Sequence, residues 1–415
     1  MEGGDMLLSD YKFMQGSERD LFTADSHPIS SISAIMILFC MMSGDDANYF
    51  DYVYQHGIVN VIIVALFAML INILSTHIFV RTWRFNFGLQ YADVVQDIFN
   101  CGKIITRLIF IIALVYTGLV IQQCAVYNIE SIAKPYFKDS YLGNSNIINY
   151  VIIPLFILPF MLFKRFAGLR YYFMLANIGV IVVLVVSIYF FRKSYKENGF
   201  DPEKKFVVAT KSFWGCYDIY QGFSALFWGQ PFLCAIASTL PKTSQKSVIA
   251  TSVNATIVVF VINLTISLFM HFTFWGSVGN DDALPYYDTS DVAYVIGLVG
   301  SFLNNVITTC GYIYVAANEL IHFFFSQDAV FTRFFSSLII YLLCCLLATY
   351  YHEPYQKYFD IVGKTCYLII AYYIPPIVYI KAFRVRSTWG IISIIYLLFI
   401  ICYTVARYYD MFKRK

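Results

Sequence analysis

The sequence of 415 residues is 59% hydrophobic and 19% aromatic, and only 13% of its residues are charged. A soluble domain carries about 25% charged residues because water must wet its surface, so most of this surface is expected to face lipid. Such a composition predicts an all-α, polytopic membrane protein. The formal net charge of +3 is too small to indicate nucleic acid as a partner, and no basic run with interleaved aromatic residues suggests one.

Residues 1–29 are polar and acidic, which predicts a cytoplasmic N-terminal tail rather than a cleavable signal peptide. A transmembrane helix needs about 20 predominantly apolar residues, and such runs predict a transmembrane domain over 30–406 with about eleven helices. We number these predicted helices in chain order: 30–54, 57–80, 103–127, 147–163, 168–191, 217–239, 247–273, 291–316, 331–350, 357–380 and 388–406. Residues 407–415 are expected to form a short basic C-terminal tail.

The apolar run from 147 to 191 is divided at the basic turn Lys164-Arg165. About 44 residues are too many for one crossing, and two charges would be costly at the bilayer centre. Short basic turns at 81–84 and 242–246 favour a cytoplasmic N-terminus. The charged loop 192–213 and the C-terminal tail oppose this orientation, because both would then face outward.

The first predicted helix is interrupted at membrane depth. After about 13 apolar residues, or roughly 20 Å of helix, it reaches the polar run 43–48 with the adjacent carboxylates Asp45 and Asp46. Irregular backbone at this depth is tolerated only where it lines a cavity or is buried in protein, so the run indicates a functional site. In the alternative interpretation, 44–48 is an outer loop and 49–56 lies at the interface.

The sixth predicted helix carries a second interruption, Gly229-Gln230-Pro231. Proline removes a backbone donor and kinks or unwinds a helix, although a kink of this kind is by itself most often a packing feature. Transporters built from inverted repeats place a broken helix first in each half. The two breaks therefore predict a five-plus-five inverted repeat over 30–191 and 217–380, with the helix 388–406 outside it.

The free backbone groups at two such breaks suit a zwitterion, because N–H groups bind its carboxylate while carbonyls or carboxylates bind its ammonium. We expect aromatic residues of helices three and six to wall the pocket, although ordinary packing explains each of them equally well. The predicted substrate-binding residues are Ser43, Gly44, Asp45, Asp46, Ala47, Asn48, Tyr116, Phe227, Trp228, Gly229 and Gln230.

Asp45 and Asp46 support two hypotheses. Adjacent carboxylates repel when both are ionised, so one of them can bind a proton reversibly and couple transport to it. Alternatively, one carboxylate is the counter-charge for a cationic substrate such as arginine, lysine or ornithine. A third interpretation places both at an outer vestibule, where they steer cations.

Predicted helix eight contains Thr308 and Thr309, whose hydroxyl oxygens suit a hard cation such as sodium. We therefore add this pair to Asp45 and Asp46 as candidate ion-coupling residues. The competing interpretation is that the two threonines make interhelical hydrogen bonds, as threonine commonly does in membrane bundles.

Several short stretches, in order and at similar spacing, resemble the amino acid/auxin permease family, which includes neutral and vacuolar or lysosomal amino-acid transporters. The stretch 52–57 is similar to the exit of helix one in that family, and 87–94 is similar to the segment between helices two and three. The others are 227–230 with Leu240-Pro241 at helix six, 271–278 at the end of helix seven, and 359–363 with 374–380 in helix ten.

This resemblance implies eleven helices, a cytoplasmic N-terminus, a LeuT-like five-plus-five inverted repeat and proton- or sodium-coupled movement of amino acids. The departures concern the site itself. Helix one lacks the family's Ile-Leu pair and proline after Gly44, and Gln230 and Thr239 stand where the family has a histidine and an acidic residue. We therefore do not infer the family's usual substrate selectivity or coupling ion for this chain.

We predict a secondary active transporter of amino acids, and the alternative is a non-transporting amino-acid sensor on the same fold. An enzyme is not expected, because the six histidines are scattered and form no catalytic or metal motif. We expect no cofactor other than a coupling proton or sodium ion, and a monomer in the plasma, vacuolar or lysosomal membrane. Cys124 and Cys216 fall near outer helix ends, where they form either a disulfide or two unpaired thiols.

Overall fold

The computed structural model describes residues 29–44, 56–83, 91–96, 99, 102–136, 144–163, 166–199, 209, 212–237, 239–240, 245–274, 291–324, 330–352, 355–383 and 387–413. Every regular element within these ranges is helical. We label the helices α1 (Ser31–Met42), α2 (Ile58–Thr82), α3 (Tyr91–Gln96), α4 (Gly102–Tyr136), α5 (Ser145–Ile157), α6 (Arg170–Asn198), α7 (Phe213–Leu226), α8 (Gln230–Ala237), α9 (Gln245–Phe274), α10 (Val292–Phe324), α11 (Val330–Tyr350), α12 (Gln356–Phe383) and α13 (Thr388–Lys413).

Eight of the described helices are long and apolar enough to cross a bilayer, namely α2, α4, α6, α9, α10, α11, α12 and α13. Two further apolar helices, α1 and α5, are shorter, and α7 and α8 follow one another with only a three-residue interruption. The chain is therefore an integral multi-pass membrane protein. Since α1, α5, α7 and α8 are each too short to cross alone, the count of eleven spans stays a prediction.

Helix α1 and the interrupted helix of α7 and α8 begin in the same way. Ser30 caps α1 by accepting a hydrogen bond from the Ser33 N–H at 3.1 Å, and Ser212 caps α7 by accepting one from the Gly215 N–H at 3.1 Å. Such serine caps satisfy donors that the first helical turn leaves without a partner. The start of α1 also lies beside the end of α8, where the Ile29 N–H donates to the Thr239 carbonyl at 2.9 Å.

Helix α10 forms the centre of the bundle, since most of its residues are buried, and it packs against α4 and α6. The contact with α6 depends on two glycines. A Cβ atom on Gly179 would lie 2.4 Å from the carbonyl oxygen of Gly300. Close approach of this kind is how membrane helices gain packing where no hydrophobic effect drives them together. The position of α10 in turn brings its polar side chains to the end of α1.

Two helices contain π-helical turns immediately before a proline. These turns are Ile148–Ile152 in α5 and Ile369–Tyr373 in α12, and they precede Pro154 and Pro375. A proline lacks the backbone donor that a regular helix needs, so local widening accommodates it. After Ile157, α5 continues only as a short 3₁₀ turn, Leu158–Leu162.

Candidate functional site

The end of α1 is held by a ladder of side chains from α10. In lipid the last carbonyls of a helix need partners from the protein, because no water reaches them. Residues four apart on a helix lie on one face, and three such residues of α10 donate to three carbonyls at the end of α1, including that of the C-cap residue Ser43. The pairs are Asn304 with Ser43 at 2.8 Å, Thr308 with Cys40 at 3.1 Å and Tyr312 with Met41 at 3.2 Å.

The break between α7 and α8 is satisfied by other helices. The carbonyl of Phe227 accepts a hydrogen bond from the Asn72 side chain of α2. The carbonyl of Ser224 accepts two, from the hydroxyls of Tyr367 at 2.6 Å and Tyr372 at 3.0 Å. Each broken helix end is thus fixed by polar side chains of continuous helices, which holds the irregular backbone in place.

A cavity of about 390 Å³ lies between the two breaks, within the range of about 300–1,000 Å³ that is typical of small-molecule sites. The end of α1, the middle of α4, the break after α7, and parts of α10, α12 and α13 line it. Its walls combine apolar, aromatic and polar side chains with three charged groups. The lining residues are Met41, Met42, Gly44, Tyr116, Thr117, Val120, Ile121, Gln221, Gly222, Ala225, Leu226, Trp228, Tyr312, Tyr351, Gln356, Asp360, Lys364, Tyr367 and Arg407.

Asp360 is the carboxylate among the described lining residues, and it accepts from three donors. The hydroxyls of Tyr116 and Tyr351 lie 2.9 and 2.7 Å from Oδ1, and Nζ of Lys364 lies 3.0 Å from Oδ2. Burial and the neighbouring carboxylate raise the pKa of Tyr351 above its ordinary value, so this phenol remains a donor. The arrangement joins α4, α11 and α12 at one side of the cavity.

The substrate-binding residues predicted from sequence fall into three groups. Gly44, Tyr116 and Trp228 line the cavity. Ser43, Phe227, Gly229 and Gln230 lie at the two breaks without lining it, and a Cβ atom on Gly229 would lie 3.0 Å from Sδ of Met42 in α1. Asp45, Asp46, Ala47 and Asn48 lie outside the described residues, so their roles in binding and coupling stay predictions.

The two threonines of α10 differ in their contacts. Thr308 donates to the Cys40 carbonyl of α1, whereas Thr309 donates to the Asn305 carbonyl of its own helix at 2.8 Å. Thr308 therefore makes an interhelical hydrogen bond, which was the alternative to ion coupling in the sequence analysis. The oxygens of Thr308 and Cys40 are also ligand types that sodium accepts, so a role in ion coupling stays a prediction.

Sequence reasoning missed the contribution of α12 and α13 to the cavity. Asp360 and Lys364 lie one turn apart in α12, and Arg407 lies in the last helix. A charged residue within an apolar span is a functional candidate by default, and this signal was available for Asp360 and Lys364. Arg407 was instead assigned to the predicted C-terminal tail, whereas α13 continues through it to Lys413. The site was predicted mainly at the two helix interruptions.

Of the two alternatives for Cys124 and Cys216, the disulfide is absent. Cys216 is not disulfide-bonded, so no bond joins it to Cys124.

An ionic cluster lies at the opposite end of the bundle from Tyr351. Arg107 of α4 is 3.2 Å from the Glu319 carboxylate of α10 and 3.1 Å from Asp93 of α3. It also donates to the His322 carbonyl at 2.8 Å, and Lys103 lies 2.8 Å from Asp93. The cluster ties α3, α4 and α10 together at that end.

Comparison with solved structures shows the fold. A substituted form of the manganese transporter from Eremococcus coleocola matches with a TM-score of 0.57 and 13% identity, covering 92% of this chain and 88% of that chain. The structure of MhsT in complex with L-phenylalanine matches with a TM-score of 0.54 and 14% identity, covering 89% and 97%. Both are LeuT-fold transporters, so the predicted fold class is confirmed.

Comparison with curated protein sequences finds no match. A family model described as transmembrane amino acid transporter protein matches residues 53–409, which include most of the described helices and all of the cavity lining except Met41, Met42 and Gly44. The match agrees with the stretches that resembled the amino acid/auxin permeases. The chain therefore belongs to the transmembrane amino acid transporter family.

Proposed function

We propose that this protein is a secondary active transporter that moves amino acids across a membrane by alternating access. The observation that carries the proposal is the 390 Å³ cavity between the breaks of α1 and α7–α8, in a chain of an amino acid transporter family. Breaks of this kind expose backbone dipoles that bind charged substrate groups at the middle of the membrane. Family and fold imply a transporter rather than an enzyme.

The cavity chemistry matches an amino acid. Tyrosine, tryptophan and methionine side chains provide apolar surface for a side chain, while Gln221, Gln356 and Thr117 provide neutral polar groups. Trp228 adds an indole N–H that is buried and has no hydrogen-bond partner in the described part of the chain. A buried donor of this type is costly unless a ligand satisfies it, which supports a polar substrate group beside it.

The two ends of the bundle support alternating access. The cavity reaches Tyr351 and Gln356 at the junction of α11 and α12, whereas Arg107 and Glu319 join α4 and α10 at the other end. In this proposal substrate enters at the α11–α12 end while the ionic cluster holds the other end closed. Separation of α4 from α10 then releases the substrate on the far side.

We further propose that a gradient of protons or sodium ions drives the cycle and that the protein acts as a monomer. Cys40 and Thr308 place two oxygens 3.1 Å apart at the end of α1, and oxygen ligands of this kind suit sodium. Asp45 and Asp46 remain the candidate proton-binding groups. Loss of coupling with retained binding in an Asp→Asn variant would identify the proton-coupling role, and selective loss of cationic substrates would identify a counter-charge.

The decisive experiment is uptake by the purified chain in liposomes. A panel of labelled amino acids is presented under an imposed proton gradient, an imposed sodium gradient or neither, with protein-free liposomes as the control. Concentrative uptake that one gradient drives is expected, and it identifies both the substrate and the coupling ion. Specific binding without flux under any gradient would refute transport and favour the sensor alternative.

A further inference from the structure

Arg407 is a buried cation on the cavity wall. It lies in α13, its exposed fraction is 4%, and its side chain lines the cavity together with α12 residues. A charge held at this degree of burial inside a membrane protein is costly unless an opposite charge or several hydrogen bonds compensate it.

The described residues do not supply a carboxylate for Arg407. Arg407 takes part in none of the ion pairs that join Asp93, Glu319, Asp291 and Asp360 to other cations. Asp360 shares the cavity with Arg407 but already accepts from Tyr116, Tyr351 and Lys364. The groups near Arg407 include Tyr372 and Tyr403, and an uncharged phenol does not neutralise a guanidinium.

The charges of the described lining therefore do not balance. One carboxylate, Asp360, faces two cations, Lys364 and Arg407, and the carboxylate is paired with the lysine. Within the described lining this leaves one positive charge, the guanidinium, beside a volume large enough for a small molecule. Its planar fork of N–H groups matches the two oxygens of a carboxylate and binds them bidentately, which an ammonium cannot do.

We propose that Arg407 binds a carboxylate group of the transported substrate. The inference rests on the proposed function, and it adds a substrate-binding residue in the last helix, outside the two breaks. The carboxylate is either the α-carboxylate of any amino acid or the side-chain carboxylate of an acidic one. In the first case Arg407 provides general recognition of amino acids, and in the second it makes the protein selective for acidic substrates.

Three probes separate the two sources. Glutamate carries both carboxylates, glutamine carries only the α-carboxylate, and 4-aminobutyrate carries only the distal carboxylate. Equilibrium binding to the purified full-length chain is measured in detergent for each probe, with uptake into liposomes measured in parallel. Wild-type protein is expected to bind glutamate and whichever of the other two keeps the carboxylate that Arg407 recognises.

The variant Arg407→Gln is expected to weaken binding of that probe and of glutamate by about 30-fold or more, the usual effect of removing one partner from a buried charge pair. Arg407→Lys keeps the charge without the fork, so it is expected to recover only part of the affinity. Arg333→Gln is the matched control, because Arg333 is a similarly buried arginine of α11 outside the cavity lining. It is expected to leave the affinity for each bound probe unchanged.

The outcomes separate the inference from the proposed function. Equal affinity of wild type and Arg407→Gln for every carboxylate probe, or failure of the wild type to bind any of them, overturns the inference. Carboxylate-dependent binding that requires Arg407 but occurs without flux supports the inference and refutes transport. If Arg407→Gln does not fold, Arg407→Lys decides. A lower affinity for the bound probes at an unchanged unfolding midpoint supports the inference, and an unchanged affinity overturns it.

Discussion

Replacing Arg107 with methionine tests the ionic cluster that joins α4 and α10. Methionine retains much of the apolar volume of the arginine stem but removes the partner of Glu319, whose exposed fraction is 3%. Removing one member of a buried ion pair costs about 3–5 kcal/mol, because the remaining charge is left without compensation. We expect Arg107→Met to lower the free energy of unfolding by this amount.

Glu319→Gln is expected to cost less, about 1–2 kcal/mol. It removes one charge-assisted hydrogen bond, but Arg107 keeps Asp93 at 3.1 Å and the His322 carbonyl at 2.8 Å. The double variant removes both members of the buried pair, so no buried charge is left without a partner and the two costs should not add. We expect the double variant to be about 2 kcal/mol more stable than the sum of the single effects predicts.

The assay is a denaturant titration of the purified protein in mixed micelles, from which the free energy of unfolding of each variant is obtained. Lys103→Met is the matched control, because Lys103 contacts the same cluster but its side chain is 35% exposed. An exposed pair is worth at most about 1 kcal/mol. Strictly additive single effects, or a control effect as large as that of Arg107→Met, would show that the buried pair is not the source of the stability.

Three further changes test individual contacts. In Gly363→Ala the new Cβ would lie 2.0 Å from Cγ of Tyr116. We therefore expect overpacking to lower the free energy of unfolding by about 1–3 kcal/mol and to weaken substrate binding. Unchanged substrate affinity would argue against a role of the Tyr116 ring in the site. Asn304→Ala leaves the buried carbonyl of Ser43, at the C-cap of α1, without this donor and should cost about 1–3 kcal/mol in the same titration. A neutral effect would mean that this hydrogen bond is replaceable. Asp291 accepts from Lys193 at 2.8 Å and from the Ala293 N–H at 2.9 Å, and these hydrogen bonds lower its pKa. Its contribution is therefore complete above the ordinary carboxyl pKa of about 3.9 and lost as the pH falls through the lowered value. Asp291→Ala should cost about 1 kcal/mol at neutral pH through loss of the helix cap, and a difference from wild type that grows on acidification would contradict this sign.

Much of the architecture was predictable from local sequence. Apolar runs long enough to cross a bilayer predicted the long helices, and the polar run after Met42 and the Gly-Gln-Pro step predicted the breaks that end α1 and α7. The fourth predicted span was less accurate, because 147–163 ends as an α-helix at Ile157 and begins with a π-helical turn. Hydropathy counts apolar residues and does not register how a helix accommodates Pro154.

The composition of the cavity was only partly predictable. Tyr116 and Trp228 were expected and line it, whereas Asp360, Lys364 and Arg407 were not expected. The hydroxyl of Tyr116 contacts a carboxylate 244 positions away in the sequence, and no local pattern encodes such a distance. The same holds for Arg107 and Glu319, which are 212 positions apart.

The sequence by itself determined that the chain is a membrane protein and where its long helices lie. It also determined that α1 ends at a polar run and that the helix of α7 and α8 is interrupted, because these properties depend on hydropathy and backbone chemistry within about 20 residues. Only the tertiary structure decided how the breaks are satisfied and which charges share the cavity. Hydrogen bonds from α10 to α1, and the meeting of Asp360 with Arg407 in one volume, depend on how helices pack across the bundle. The end of α1 thus appears in the sequence as an interruption, and in the structure as part of the wall of a cavity that a buried arginine also lines.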